Sequence, residues 1–263
     1  MSRSRLARFN RREFFGERWH YSHREQVFIC QPTQGGKTQF GWELLSATPH
    51  IKPPVALVMK PRDPTPARMT QRFGWKEIQG WPPPQRWPWQ AQPPGYTLWP
   101  KHSLSMDPAS IERTNAHIKA QFERCMMDTY RKGDRVIFVD EIFGLLSELA
   151  MQQVISALSN RGAGMQAPIW YASQKGSGTT GAPMPGYLFN NPRHLFFGYD
   201  SVAGNRKRFS EISGVNTALV MEEVSGLQPV PMRNGAETSY ISPLLYVNKN
   251  GPDGGWMCIV EPW

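Results

Sequence analysis

The stretch that most constrains this chain is residues 26–39, Gln-Val-Phe-Ile-Cys-Gln-Pro-Thr-Gln-Gly-Gly-Lys-Thr-Gln. It predicts a short apolar strand, a glycine-containing loop, and a helix opened by Lys37 and Thr38. That order has a physical consequence. A loop that turns its backbone N–H groups inward makes an anion nest, and the helix N-terminus adds partial positive charge. Lys37 can then reach the β- and γ-phosphates of ATP, and the Thr38 hydroxyl can ligate Mg²⁺. Residues 31–38 match the phosphate-loop template G-x-x-x-x-G-K-[ST] except at its first position, where Gln31 replaces glycine. Pro32, Thr33, Gln34, Gly35, Gly36 and Gln39 complete the candidate nucleotide-binding set. A strand-to-helix turn that only spells this sequence is the alternative.

Residues 136–141, Val-Ile-Phe-Val-Asp-Glu, form the second motif. Four apolar residues predict a central strand with two acids at its carboxyl end. A protein that binds a magnesium nucleotide needs one carboxylate near the metal and another to deprotonate water. Asp140 suits the first role and Glu141 the second. A further apolar run, residues 167–172, ends in Ser173-Gln174, and an amide there can sense a γ-phosphate or simply close a turn. Residues 55–59 predict another buried strand, ending in Lys60-Pro61-Arg62-Asp63. Helices are predicted over 107–131, with Ile111 on the core face, and over 143–158. A loop holding Arg161 among small residues follows the second.

At 263 residues the chain suits one α/β domain with an insertion, or two modest domains. Thirty Lys and Arg against 21 Asp and Glu leave a net charge of +9, which favours a polyanion such as nucleic acid, an anionic surface, or solubility alone. Cys30, Cys125 and Cys258 are scattered with no CxxC, which fits a reducing compartment and excludes structural zinc. No run is apolar and long enough to span a membrane, and the expected protein is intracellular and soluble. Residues 1–24 interleave arginines with Phe9, Phe14, Phe15 and Trp19 and are expected as a basic arm, mobile or docked on a partner. The ATPase domain is then 25–263. Residues 64–100 mix five tryptophans with many prolines and are expected as an extended surface insertion. Its tryptophans either cover the insertion or stack on bases or a partner. Residues 204–208 are a basic cluster, and the tail predicts a β-hairpin across residues 248–255.

In order, these pieces resemble the FtsK–HerA superfamily of P-loop DNA-translocating ATPases. Residues 31–38 resemble its Walker A motif and residues 136–141 its Walker B. Residues 55–63 are similar to its strand ending in Asp-Pro-Lys-Gly-Asp. Residues 160–174, from Asn-Arg-Gly-Ala-Gly to Ala-Ser-Gln, resemble its Gly-Arg turn and its strand ending in Thr-Gln. The resemblance covers roughly residues 25–200, and departs from the family at Gln31 and Asn160. It implies a RecA-like, mostly parallel sheet and a homo-oligomeric ring, often a hexamer, around double-stranded DNA. Arg161 would reach a neighbour's nucleotide, and Gln174 would be the sensor. The compact size is nearest to the packaging ATPases of tailless icosahedral viruses, with small mobile-element translocases close behind. A capsid vertex or membrane-complex protein would then meet the arm, and the implied location is cytoplasmic or virion-associated. A non-catalytic nucleotide-binding assembly module is the rival reading.

Overall fold

The computed structural model describes residues 6–32, 35–174, 184–234, 237–250 and 256–263. Thr33 and Gln34, both expected to bind nucleotide, lie outside the described residues, as does the expected hairpin tip at 251–255.

The chain opens with β1 (Arg8–Asn10), α1 (Arg11–Glu13) and a π-helical turn, Phe14–Arg18. β2 (Val27–Cys30) leads into α2 (Lys37–Ala47). β3 (Val55–Leu57), α3 (Pro64–Arg72), β4 (Lys76–Ile78) and β5 (Tyr96–Leu98) come next. α4 (Pro108–Lys132), β6 (Ile137–Val139), α5 (Ile142–Ser147) and α6 (Gln152–Arg161) follow. β7 (Ile169–Ser173), α7 (Tyr187–Asn190), β8 (His194–Phe197), α8 (Ala203–Ser213) and α9 (Thr217–Gly226) precede the closing strands. These are β9 (Val230–Asn234), β10 (Glu237–Ile241), β11 (Leu244–Asn248) and β12 (Trp256–Glu261). The architecture is α/β around a large, mostly parallel sheet, as the motif order predicts.

The chain divides into two compact units, residues 1–40 with 172–263, and residues 41–171. In the first, the strand order is β1-β12-β11-β8-β2. β2 runs parallel to β8 with Ile29 beside Phe196, and β11 runs antiparallel to both β8 and β12. The tail hairpin is therefore β11–β12, built into the sheet. β9 and β10 form a separate two-stranded ribbon. Phe14, Phe28, Phe196, Phe197, Phe209 and Tyr246 are fully buried in this unit. Each such side chain taken from water contributes roughly 1.5–3 kcal/mol.

In the second unit, β7 (through Tyr171), β6, β3, β5 and β4 pair in parallel in that order. All residues of β3, β5 and β6 are buried, and β3 and β6 accordingly read as unbroken apolar runs. Trp42 of α2 meets Phe138 of β6 edge-on at 5.4 Å. Gly41 permits this approach, because a Cβ there would lie 2.4 Å from the Phe138 ring.

Several expectations are corrected. The helix foreseen over 143–158 is two helices, α5 and α6, parted at Ala150, which has φ +49°. The Gln152 amide donates to the Leu146 carbonyl at 2.6 Å and helps terminate α5. Ile111 is 40% exposed, because α4 begins to bury its side chains only at Ile118. Residues 64–100 are irregular only in part. Asp63 caps α3 by accepting from the Thr65 N–H, and Pro64 sits in the first turn, where a missing N–H costs nothing. β5 is the short strand that residues 96–99 predict, and the unexpected β4 pairs with it in parallel. Residues 6–24 pack into the first unit, with β1 parallel to β12.

Candidate nucleotide-binding site

In the first unit, β2 is fully buried and ends where the chain enters the loop at Gln31. The Gly35 N–H donates to the Pro32 carbonyl at 3.2 Å. Gly36 has φ +91°, a backbone region that favours glycine. Lys37 then starts α2, and the Phe40 N–H donates back to the Gly36 carbonyl at 2.9 Å. This is a strand, a turn and a helix N-terminus in the sequence that phosphate binding requires. Lys37 and Thr38 are buried, Gly35 is buried, and Pro32, Gly36 and Gln39 are half-buried. Phe40 anchors the helix start by stacking on Phe15 and meeting Phe196 edge-on at 4.8 Å.

Gln174 directly follows β7 in this same unit and is half-buried. The carbonyl of Ser173, one residue earlier, accepts from the Gln31 N–H at 3.0 Å. Three neighbours of the loop carry no local signal in the sequence. The Ser242 N–H donates to the Gly35 carbonyl at 3.2 Å, Ile241 lies against Gly36, and Gly198 lies against the Gln31 side chain. These contacts join residues some two hundred positions apart, and no motif at 198 or 241–242 announces them.

In the second unit, Asp140 and Glu141 follow β6 at its carboxyl end. Asp140 is buried, and Glu141 is half-buried at the start of α5. Arg161 is the last residue of α6 and is exposed, so it lies on a helix rather than in the expected loop. Gly162 follows by necessity, because a Cβ there would lie 2.3 Å from the Leu158 carbonyl oxygen and 2.5 Å from that of Ala167. Asp63, expected near the nucleotide or in a turn, caps α3.

Among the described residues no group of three or more His, Cys, Asp or Glu side chains could hold a metal, and His20 and His23 join no such group. The oxygen donors that the sequence motifs offer, the Thr38 hydroxyl and the Asp140 carboxylate, are the hard ligands Mg²⁺ takes when it arrives with phosphates.

No family model and no curated protein sequence matches the chain. Solved structures do. VirB4 of Thermoanaerobacter pseudethanolicus aligns with a TM-score of 0.52 and 11% identity, over 85% of this chain and 90% of its own. The genome packaging NTPase B204 of Sulfolobus turreted icosahedral virus 2, in complex with sulfate, aligns at 0.49 and 12%, over 92% and 98%. EssC (ATPases 2 and 3) of Geobacillus thermodenitrificans aligns at 0.46 and 10%, over 93% and 41%. At that identity the likeness to VirB4 is one of fold: this chain shares the α/β fold of VirB4, in keeping with its sequence resemblance to P-loop ATPases of the FtsK–HerA type.

Proposed function

We propose that the chain is an ATP-hydrolysing DNA translocase that packages or transfers a viral or mobile-element genome through a homo-oligomeric ring, hexameric by analogy with the superfamily it resembles. The observation that supports this reading is the local setting of its two motifs, each within its own unit. Lys37-Thr38 opens a helix behind a fully buried strand, and Asp140-Glu141 closes another, in an FtsK–HerA-type fold.

Lys37 and the first-turn N–H groups of α2 bind the β- and γ-phosphates of ATP. Thr38 and Asp140 would hold Mg²⁺, which when bound neutralises charge on the phosphate oxygens. Glu141 takes a proton from the attacking water as its oxygen bonds the γ-phosphorus and ADP leaves. Gln174 orients that water, and Arg161, exposed at a helix end, serves the nucleotide of a neighbouring subunit. The net charge of +9 suits duplex DNA as the polymer. The N-terminal segment is the proposed contact for a capsid vertex or membrane-complex protein. No helix among the described residues is long and apolar enough to cross a membrane.

The test is ATP hydrolysis by purified protein with and without duplex DNA, beside Glu141→Gln. Turnover stimulated by DNA and lost in the variant supports the translocase. Gln31 favours a second reading, a nucleotide-binding assembly module, and binding without turnover under either condition would select it. Arg161→Ala should abolish the DNA-stimulated rate; if it leaves that rate untouched, the inter-subunit role falls.

A further inference from the structure

The one break in the phosphate-loop template has a defined place in the first unit. Gln31 is 1% exposed. Its side-chain Nε2 donates to the Gly35 carbonyl, while its backbone N–H donates to the Ser173 carbonyl. Only the NH₂ end of the amide can face a carbonyl oxygen. The side chain fits because two glycines make room for it. A Cβ on either Gly35 or Gly198 would lie 2.5 Å from Gln31 side-chain atoms. The Gly35 carbonyl also accepts from the Ser242 N–H, so it is held by two donors.

A trans peptide is planar, so fixing the direction of a carbonyl fixes the opposite direction of the next N–H. Holding the Gly35 oxygen therefore aims the Gly36 N–H, which sits at the mouth of α2. Glycine at position 31 has no side chain with which to do this. The smallness that the template asks of its first position is supplied here by Gly198, at the end of β8.

We propose that Gln31 is a positioning residue that presets the phosphate loop for nucleotide, by clamping the Gly35 carbonyl with its side-chain amide. This rests on the nucleotide-binding reading above, and it makes Gln31 an asset to that reading rather than a defect.

The experiment measures equilibrium binding of a fluorescent ATP analogue with Mg²⁺, together with the Tm of the nucleotide-free protein. Gln31→Met keeps the volume and removes the donor. Gln31→Gly restores the template, and Gly198→Ala pushes on the amide from β8. Each should weaken binding about 5- to 10-fold, the size of one lost hydrogen bond, with the nucleotide-free Tm nearly unchanged. The double variant Gln31→Gly with Gly198→Ala should bind no worse than Gln31→Gly alone, because the two act through one contact. If Gln31→Gly binds as tightly as wild type or more tightly, the proposal is overturned. A Tm that falls in step with affinity also overturns it, since Gln31 would then be a structural residue only. Should Gly198→Ala fail to fold, the Met and Gly variants decide the matter. A wild-type chain that binds no nucleotide would sink the parent reading and this inference together, whereas wild-type binding with indifferent variants would sink this inference alone.

Discussion

Residues 6–24 and residues 81–95 both mix arginine with aromatic residues, and they fold in opposite ways. In the first stretch the aromatics turn inward. Phe14 is fully buried against Tyr246 at 5.0 Å, and Trp19 covers the His194 ring at 4.7 Å. In the second, Trp81 is buried, but Trp87 and Trp89 are 62% and 77% exposed and stack on each other at 5.2 Å. The difference lies in the backbone. Asn10 and Glu13 form a reciprocal capping box that starts a tight helical turn, folding Phe14 back onto the unit. Pro82, Pro83, Pro84 and Pro88 allow no such return, since each fixes φ and removes an N–H. Aromatic content thus sets what can be buried, and the ability of the chain to turn decides what is.

The comparison breaks most visibly at Phe14. Phe14→Ala should destabilise the protein by about 3–5 kcal/mol, because its cavity lies among the fully buried rings of Phe196 and Tyr246. Urea unfolding measures this, and a loss under 1 kcal/mol would show that the N-terminal stretch is not part of the core.

Next in size is an acid effect in the same region. Burial lowers the His194 pKa below its ordinary 6.5, outweighing the opposing pull of Glu25. The neutral ring donates from Nε2 to Glu25 and accepts at Nδ1 from the Tyr246 hydroxyl, each at 2.8 Å. Burial acts to raise the Glu25 pKa, but hydrogen bonds from His194 and the Ser22 N–H, with the charge of Arg193, bring it below its ordinary 4.5. Both groups have the same sign. The unfolded chain takes up protons first, so their stabilisation is full above about pH 6.5 and drains as pH falls through the lowered values. Tm should therefore drop between pH 7 and pH 4, and Glu25→Gln should flatten the lower part of that slope. A Tm independent of pH over this range would show that the network does not couple to folding.

A smaller effect marks the anchored end of the second stretch. The Trp81 indole N–H donates to Asp128 at 3.1 Å, with the Arg135 guanidinium over its ring. Trp81→Phe keeps an aromatic ring, smaller than the indole, and loses the donor, for about 1–2 kcal/mol. An unchanged unfolding midpoint would mean that the bond to Asp128 contributes nothing.

What the sequence made legible was local. β2, β3, β6 and β7 announce themselves as apolar runs, and the Gly-Gly-Lys-Thr turn between β2 and α2 is spelled in adjacent residues. What stayed hidden depends on distance or on a break in a continuing pattern. Nothing near Gly198 or Ser242 signals that these residues meet Gln31 and Gly35, because those contacts exist only once β8 and β10 are in place. The turn at Ala150 leaves no mark in the sequence because Leu149 and Met151 are also buried, so the apolar rhythm runs through the gap between α5 and α6. Residues 64–78 were hidden by composition. Pro64 and Pro66 look like helix breakers, yet they occupy the first turn of α3, where proline is tolerated.

The smallest expected effect sharpens the comparison from its other side. Trp87 and Trp89 cover each other and little else, and their loop is closed by Gln90, whose side chain accepts from the Trp87 N–H and whose own N–H donates to the Trp87 carbonyl. Neither bond uses an indole. Replacing both tryptophans by alanine should therefore leave the turn intact and shift stability by no more than about 0.5 kcal/mol, in contrast to the loss at Phe14. The same variant should lose a large part of the tryptophan fluorescence that acrylamide quenches, since these two rings are the exposed ones of the stretch. A destabilisation comparable to that of Phe14→Ala would mean that the stacked pair is a folded part of the unit, and that the prolines do not keep the loop apart from its core.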